Sequence, residues 1–172
     1  MSKLKTMGIV LAAAAAIAAG TASAQTAPKP KPAAKPAAAA AKHVMVAPSD
    51  VKWGPGPASL PPGAQMAVLD GDPAKAGMPF VIRAKLPDGY KVAPHWHPTD
   101  ENVVVLSGTF VVGTGDKFDE KAVTSLPTGS FVRMPKLMHH SAMAKGETVI
   151  QVHGVGPFAV TYVNPKDDPR KK

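Results

Sequence analysis

Three imidazoles and a carboxylate stand in two blocks of this chain in an order that suits metal ligation. The first block runs Gly89-Tyr-Lys-Val-Ala-Pro-His95-Trp-His97-Pro-Thr-Asp-Glu101 and on to Gly108; the second runs from Gly129 through Pro135 to His139-His140. Two His at i and i+2 in a β-rich stretch project from one strand face, because strand side chains alternate with period two. Glu101 follows a Pro98-Thr99-Asp100 turn able to swing its carboxylate back toward that face. A His of the second block must then arrive on a separate strand. Imidazole and carboxylate at one centre suit a divalent transition ion (Mn, Fe, Co, Ni, Cu or Zn), and an octahedral ion held by four ligands keeps about two positions open. Those positions admit water, dioxygen or a bidentate oxygen-donor substrate. Pro94 and Pro98 bracket the His pair and restrict its backbone, as a preformed site requires. The competing reading of the same residues is a set of hydrogen-bonded polar groups inside a barrel.

The elements that must position these groups are strands. From Val44 onward, short apolar runs alternate with Gly, Pro and Asp. Val44–Val46, Gln65–Leu69, Phe80–Leu86, Glu101–Leu106, Thr109–Val112, Ser130–Met134, Ser141–Met143, Thr148–His153 and Phe158–Val163 read as strands. Asp70-Gly71, Asp88-Gly89, Ser107-Gly108, Gly115-Asp116, Thr128-Gly129 and Lys145-Gly146 read as hairpin turns. Asp119 to Val123 fits a single helical turn, and nothing after Lys42 sustains an apolar period of helical length. Many short strands at regular spacing predict an all-β sandwich or barrel in one domain.

The formal charge of +8 suggests a polyanion binder, but its distribution does not. Residues 48–165 carry ten basic and ten acidic side chains, so the excess sits at the two ends. Without a basic stripe interleaved with aromatics, nucleic-acid binding is not expected. Lys3 and Lys5, the apolar run Gly8 to Ala19 and the small residues Ala22-Ser23-Ala24 read as a secretory signal over 1–24, with a mature start near Gln25. The apolar run falls short of the roughly 20 residues a bilayer requires, so no span remains after cleavage. Residues 25–43, nearly all Ala, Pro and Lys, read as a solvated linker, and 169–172 as a basic tail. The chain holds no cysteine, which excludes disulfides and thiolate chemistry. The expected location is secreted or periplasmic.

Gly89…His95-x-His97-x-x-x-Glu101…Gly108 is similar to the first cupin motif at every defining position, and Gly129…Pro135…His140 resembles the second in part. Leu137 stands where that motif usually has Gly, and Ala144 where it usually has Asn. The flanking Val51-Lys-Trp-Gly-Pro, Leu60-Pro-Pro-Gly-Ala and Val152-His-Gly-Val-Gly-Pro resemble small exported single-domain cupins of undefined function. The resemblance covers about residues 44–168. It implies a jelly-roll β-barrel, commonly a homodimer, with the metal held inside by His95, His97, Glu101 and His140. Counting from Pro135 favours His140 over its neighbour His139, which then faces outward or lies at a rim.

On the strand over Thr148–His153, Gln151 and His153 interrupt an apolar run; an inward polar pair needs partners, so both are candidates to line the metal pocket. Trp96 points away from its two neighbours and reads as packing. Met134, Met138 and Met143 read as core filler rather than copper ligands. No Ser-His-Asp order, phosphate-cradling loop or helical His-Glu-x-x-His supports a hydrolase or nucleotide enzyme. The favoured expectation is a metal-dependent oxygenase or oxidase acting on a small oxygen-rich molecule, with Glu101 alternating between ligand and general base. The alternatives are a non-catalytic periplasmic metal- or ligand-binding cupin and an envelope protein with a vestigial site.

Overall fold

The computed structural model describes residues 43–172. The signal sequence and nearly all of the linker expected over 1–43 lie outside the described residues. Nine antiparallel strands carry the described chain: β1 (Gly54–Pro55), β2 (Gln65–Gly71), β3 (Pro79–Leu86), β4 (Lys91–Trp96), β5 (Glu101–Thr114), β6 (Val123–Pro127), β7 (Phe131–Met134), β8 (His140–Val155) and β9 (Thr161–Tyr162). They pair in the order β1-β2-β3-β8-β4-β9, while β5 pairs with β6, β7 and β8. The sheet curls on itself as a β-barrel. Among the described residues no helix is long and apolar enough to cross a membrane.

Alternation sets the inner wall. Along β3, Phe80, Ile82, Ala84 and Leu86 are buried, whereas Val81, Arg83 and Lys85 are half-exposed on the outer face. β5 does the same with Val103 and Val105, and β8 with Ile150 and Val152, and these join one apolar core. Burying a side chain the size of Ile82 contributes roughly 1.5–3 kcal/mol, so this wall holds the strands that present the site.

Three of the expected hairpin dipeptides lie inside strands, Asp70-Gly71 at the end of β2 among them. Ser107-Gly108 and Lys145-Gly146 fall within β5 and β8, which run antiparallel from Asn102↔His153 to Thr114↔His140 with register shifts around Ser107. The dipeptides supply bulges here: Gly108 has φ +75°, and a Cβ on it would stand 2.4 Å from the Glu147 carbonyl oxygen. Long-range pairing of β5 with β8 overrides the local turn preference. Val44–Val46 forms no strand, and Phe158–Val163 contracts to β9. Asp119 to Ala122 closes one isolated turn through Ala122 N–H to the Asp119 carbonyl.

A strap of residues 56–64 lies against the barrel between β1 and β2. The chain's two tyrosines fasten it: Tyr90 donates its hydroxyl to the Pro61 carbonyl and Tyr162 to the Ser59 carbonyl at 2.8 Å. Burial is the main cause that pushes both phenols up, Tyr162 to about 12. At the C-terminus, Arg170 of the basic tail forks onto Asp168 and reaches the Val160 carbonyl.

Candidate metal centre

Three strand ends meet at one point. β4 supplies His95, and His97 follows immediately after its end; Glu101 opens β5 and His140 opens β8. His95 and His140 face each other across the β4–β8 ladder. All four residues are buried, and the three His offer ligating nitrogens within 4.8 Å of one another. Glu101 Oε2 lies 3.2 Å from His140 Nε2 and 3.4 Å from His97 Nε2.

The backbone sets the protonation pattern of the rings. His95 Nδ1 lies 2.8 Å from the Ala93 carbonyl, His97 Nδ1 2.8 Å from that of Ala159, and His140 Nδ1 3.0 Å from that of Met138. A carbonyl only accepts, so Nδ1 is the donor in each ring, and a neutral ring then keeps its lone pair on Nε2. His97 Nε2 is buried and has no hydrogen-bond partner among the described residues. Buried polar atoms are rarely left so. An orphaned lone pair beside two further imidazoles and a carboxylate fits a divalent transition ion.

Burial first, then the nearby His140 and His97 rings, push His95 down to about 3, so its ring is neutral at ordinary pH. Burial works to raise Glu101, but the adjoining His140 and His97 outweigh it and hold the carboxylate well below its usual range. His140 is the mirror case: burial works to lower it, and Glu101 prevails and raises it.

Two further contacts steady the centre. Phe158 stacks on the His97 ring with centroids 4.2 Å apart and planes 19° apart. Leu137 N–H donates to the His97 carbonyl at 2.8 Å, with Leu137 at φ +63°. That left-handed conformation, where the resembling motif usually has Gly, costs a non-glycine residue about 1–2 kcal/mol. Asp100 accepts from Arg133 at 2.7 Å and from Lys136 N–H at 2.8 Å, tying the start of β5 to the segment before β8.

The four residues border a cavity of about 280 Å³ whose walls are mostly apolar. Ile150 and Val152 line it; Gln151 and His153, expected as candidates for that wall, do not. They lie on the opposite face of β8, where Gln151 accepts from Arg83 at 3.2 Å. Strand alternation left two choices of face, and the apolar pair took the inside. Arg133 is engaged with Asp100, and Trp96 is half-buried off the cavity wall. His139 contacts Asp116 instead of the cavity. Met134 is core, and Met138 packs against it. Sequence reasoning missed Phe158, Tyr90 and Leu60 as cavity residues. Local spacing carries no signal for them, because strap, barrel and C-terminal segment meet only in three dimensions.

A family model described as the ChrR cupin-like domain matches residues 41–159. No curated protein matches the chain significantly. Among solved structures, the chain is similar to a putative acetylacetone dioxygenase from Methylibium petroleiphilum PM1, with TM-score 0.59 and 18% identity over 77% of this chain and 88% of that one. It is similar to the polyketide cyclase RemF from Streptomyces resistomycificus, with TM-score 0.57 and 18% identity over 76% and 92%. A cupin 2 conserved barrel domain protein from Rhodopseudomonas palustris aligns with TM-score 0.55 and 15% identity over 73% and 89%. At these identities the likeness is one of fold.

Proposed function

This chain belongs to the ChrR cupin-like family, and from that premise we propose that it is an exported metal-dependent enzyme of the oxygenase or oxidase type. Its substrate would be a small oxygen-rich molecule. The observation that carries the reading is the buried meeting of three backbone-oriented imidazoles with Glu101 beside a partly open, mostly apolar cavity. His95, His97, His140 and Glu101 would hold one divalent ion. When bound, that ion would supply Lewis acidity and, if redox-active, a route for dioxygen chemistry.

The protein's own contribution is positional and acid–base. The Ala93, Ala159 and Met138 carbonyls engage Nδ1 of the three rings and so leave Nε2 of each as the ligand atom. Glu101 is kept ionised and is the carboxylate placed to accept a proton from a substrate next to the centre. The mostly apolar walls lower the polarity around the centre and so strengthen the electrostatic contacts made there. One neighbour of similar fold is described as a putative dioxygenase and another as a cyclase, so the fold by itself selects no reaction.

A second reading, a non-catalytic ligand- or metal-binding cupin, is favoured by the sparse acid–base equipment of the cavity, where Glu101 is the sole carboxylate among the lining residues. Metal analysis of protein from its native compartment, followed by oxygen uptake with phenolic and diketone compounds, separates the two. Metal with turnover supports the enzyme; metal and tight ligand binding without turnover support the binder. Export with a mature start near Gln25 is tested by N-terminal sequencing of the fractionated protein, and the proposed homodimer by light scattering.

A further inference from the structure

Four of the six polar residues that border the cavity are gathered at one point. His95, His97, Glu101 and His140 form one cluster, and the wall turns apolar along the strands leading away from it. β4 passes from His95 to Val92 and β8 from His140 to Ala142, and further along β8 and on its partner β3 stand Ile150, Val152, Ala84 and Ile82. Two other polar residues, Tyr90 and Ser59, border the cavity, and the Tyr90 hydroxyl is engaged on the Pro61 carbonyl. A ligand with hydroxyls spread along its length would therefore set several of them against hydrocarbon.

We infer that the cavity takes a compact molecule whose oxygens are confined to one end and whose body is hydrocarbon, aliphatic or aromatic, and that it rejects sugars and polyols. This rests on the metal-centre reading above, which gives the oxygen-bearing end its place. It narrows an oxygen-rich substrate to a single-headed one. Each hydroxyl left unpaired against the wall weakens binding by about five-fold to a hundred-fold, whereas each methylene buried there tightens it about four-fold. The volume of about 280 Å³ lies just below the usual range of small-molecule pockets, roughly 300–1,000 Å³, so the hydrocarbon body is short.

Hydroxamates test this, since their head is a bidentate oxygen donor and their tail can be varied. Zinc-loaded full-length protein, redox-silent, is titrated calorimetrically with acetohydroxamate, butyrohydroxamate, hexanohydroxamate, benzohydroxamate and the polyol-tailed gluconohydroxamate. The expected result is a gain of about four-fold per methylene until the cavity is full, with a negative heat-capacity change, and no gain from the polyol tail. Val152→Thr, which keeps the side-chain shape and adds a hydroxyl, weakens hexanohydroxamate several-fold more than acetohydroxamate. Ala84→Leu, which fills the wall, blocks the longer probes; melting temperature and zinc content confirm that both variants fold. Equal affinity for gluconohydroxamate and hexanohydroxamate, or no dependence on tail length, overturns the inference and leaves the metal centre standing. Failure to take up zinc, or equal acetohydroxamate binding with and without it, overturns the metal-centre reading and this inference with it.

Discussion

The two sides of the cavity are buried to the same depth and at opposite energetic sign. His95, His97, Glu101 and His140 are between 2% and 8% exposed, and Ile82, Ala84, Ile150 and Val152 span 2% to 5%. On the apolar side each square ångström withdrawn from water contributes roughly 25 cal/mol. On the polar side the same withdrawal is unfavourable unless every group finds a partner, and His97 Nε2 finds none among the described residues. The barrel therefore holds, in one cavity, a part that stabilises the fold and a part that the fold must sustain. A site that breaks the burial rule while its surroundings obey it is where function is expected.

Removing the polar side's purpose should have the largest effect. His140→Ala is expected to reduce bound metal to background, and with it the stabilisation that a thousand-fold excess over Kd confers on wild type, about 4 kcal/mol. Metal analysis and thermal denaturation with and without metal check both. Truncating the apolar side should act the other way round: Ile150→Ala is expected to lower stability by about 3 kcal/mol in urea melts while metal content stays near wild type. If Ile150→Ala also empties the centre, the two sides are not separable and the comparison fails.

Acidification sharpens the contrast in the metal-free protein. His95 sits at about 3 in the folded state, below its unfolded value of 6.5, so between those limits the unfolded chain binds more protons than the folded one. Stability should thus fall as pH drops from 6.5 toward 3, with His95 contributing up to about 1.4 kcal/mol per pH unit. Glu101, depressed in the folded state, adds to the loss only below its ordinary value of 4.5. His140, raised, acts oppositely: its contribution is complete below 6.5 and is lost as pH climbs through its folded value. Urea melts of wild type and His95→Ala across this range measure the slope, which should flatten in the variant above pH 4.5. The smallest effects belong outside the cavity: Gln151→Ala and His153→Ala should each change stability by within about 0.5 kcal/mol and leave metal content unaltered.

The centre was legible because its information is local. The i, i+2 His pair, Glu101 beyond a proline turn and His140 after Pro135 are statements about neighbouring residues, and the strand period turns them into geometry. Gln151 and His153 were not legible by the same means. Period two says that they share a face but not which face is inside; that is decided by Ile150 and Val152 meeting Ala84 and Ile82 on β3. The merging of two pairs of expected strands into β5 and β8 was hidden for a related reason, since a Gly dipeptide marks a bulge and a turn alike. The strap's fastening is the least local feature, with Tyr162 and Ser59 standing 103 positions apart.

That fastening has a consequence for how the protein can diversify. Tyr90 and Tyr162 grip main-chain oxygens of the strap, at Pro61 and Ser59, and so ask nothing of the side chains there. Pro57, Ser59 and Leu60 nevertheless contribute to the wall of the cavity. Residues that shape the chamber can therefore be exchanged while the anchorage of the segment carrying them persists. A lineage built on this barrel could change what it admits by drift along a few strap positions, leaving the strands and the His–Glu cluster as they are.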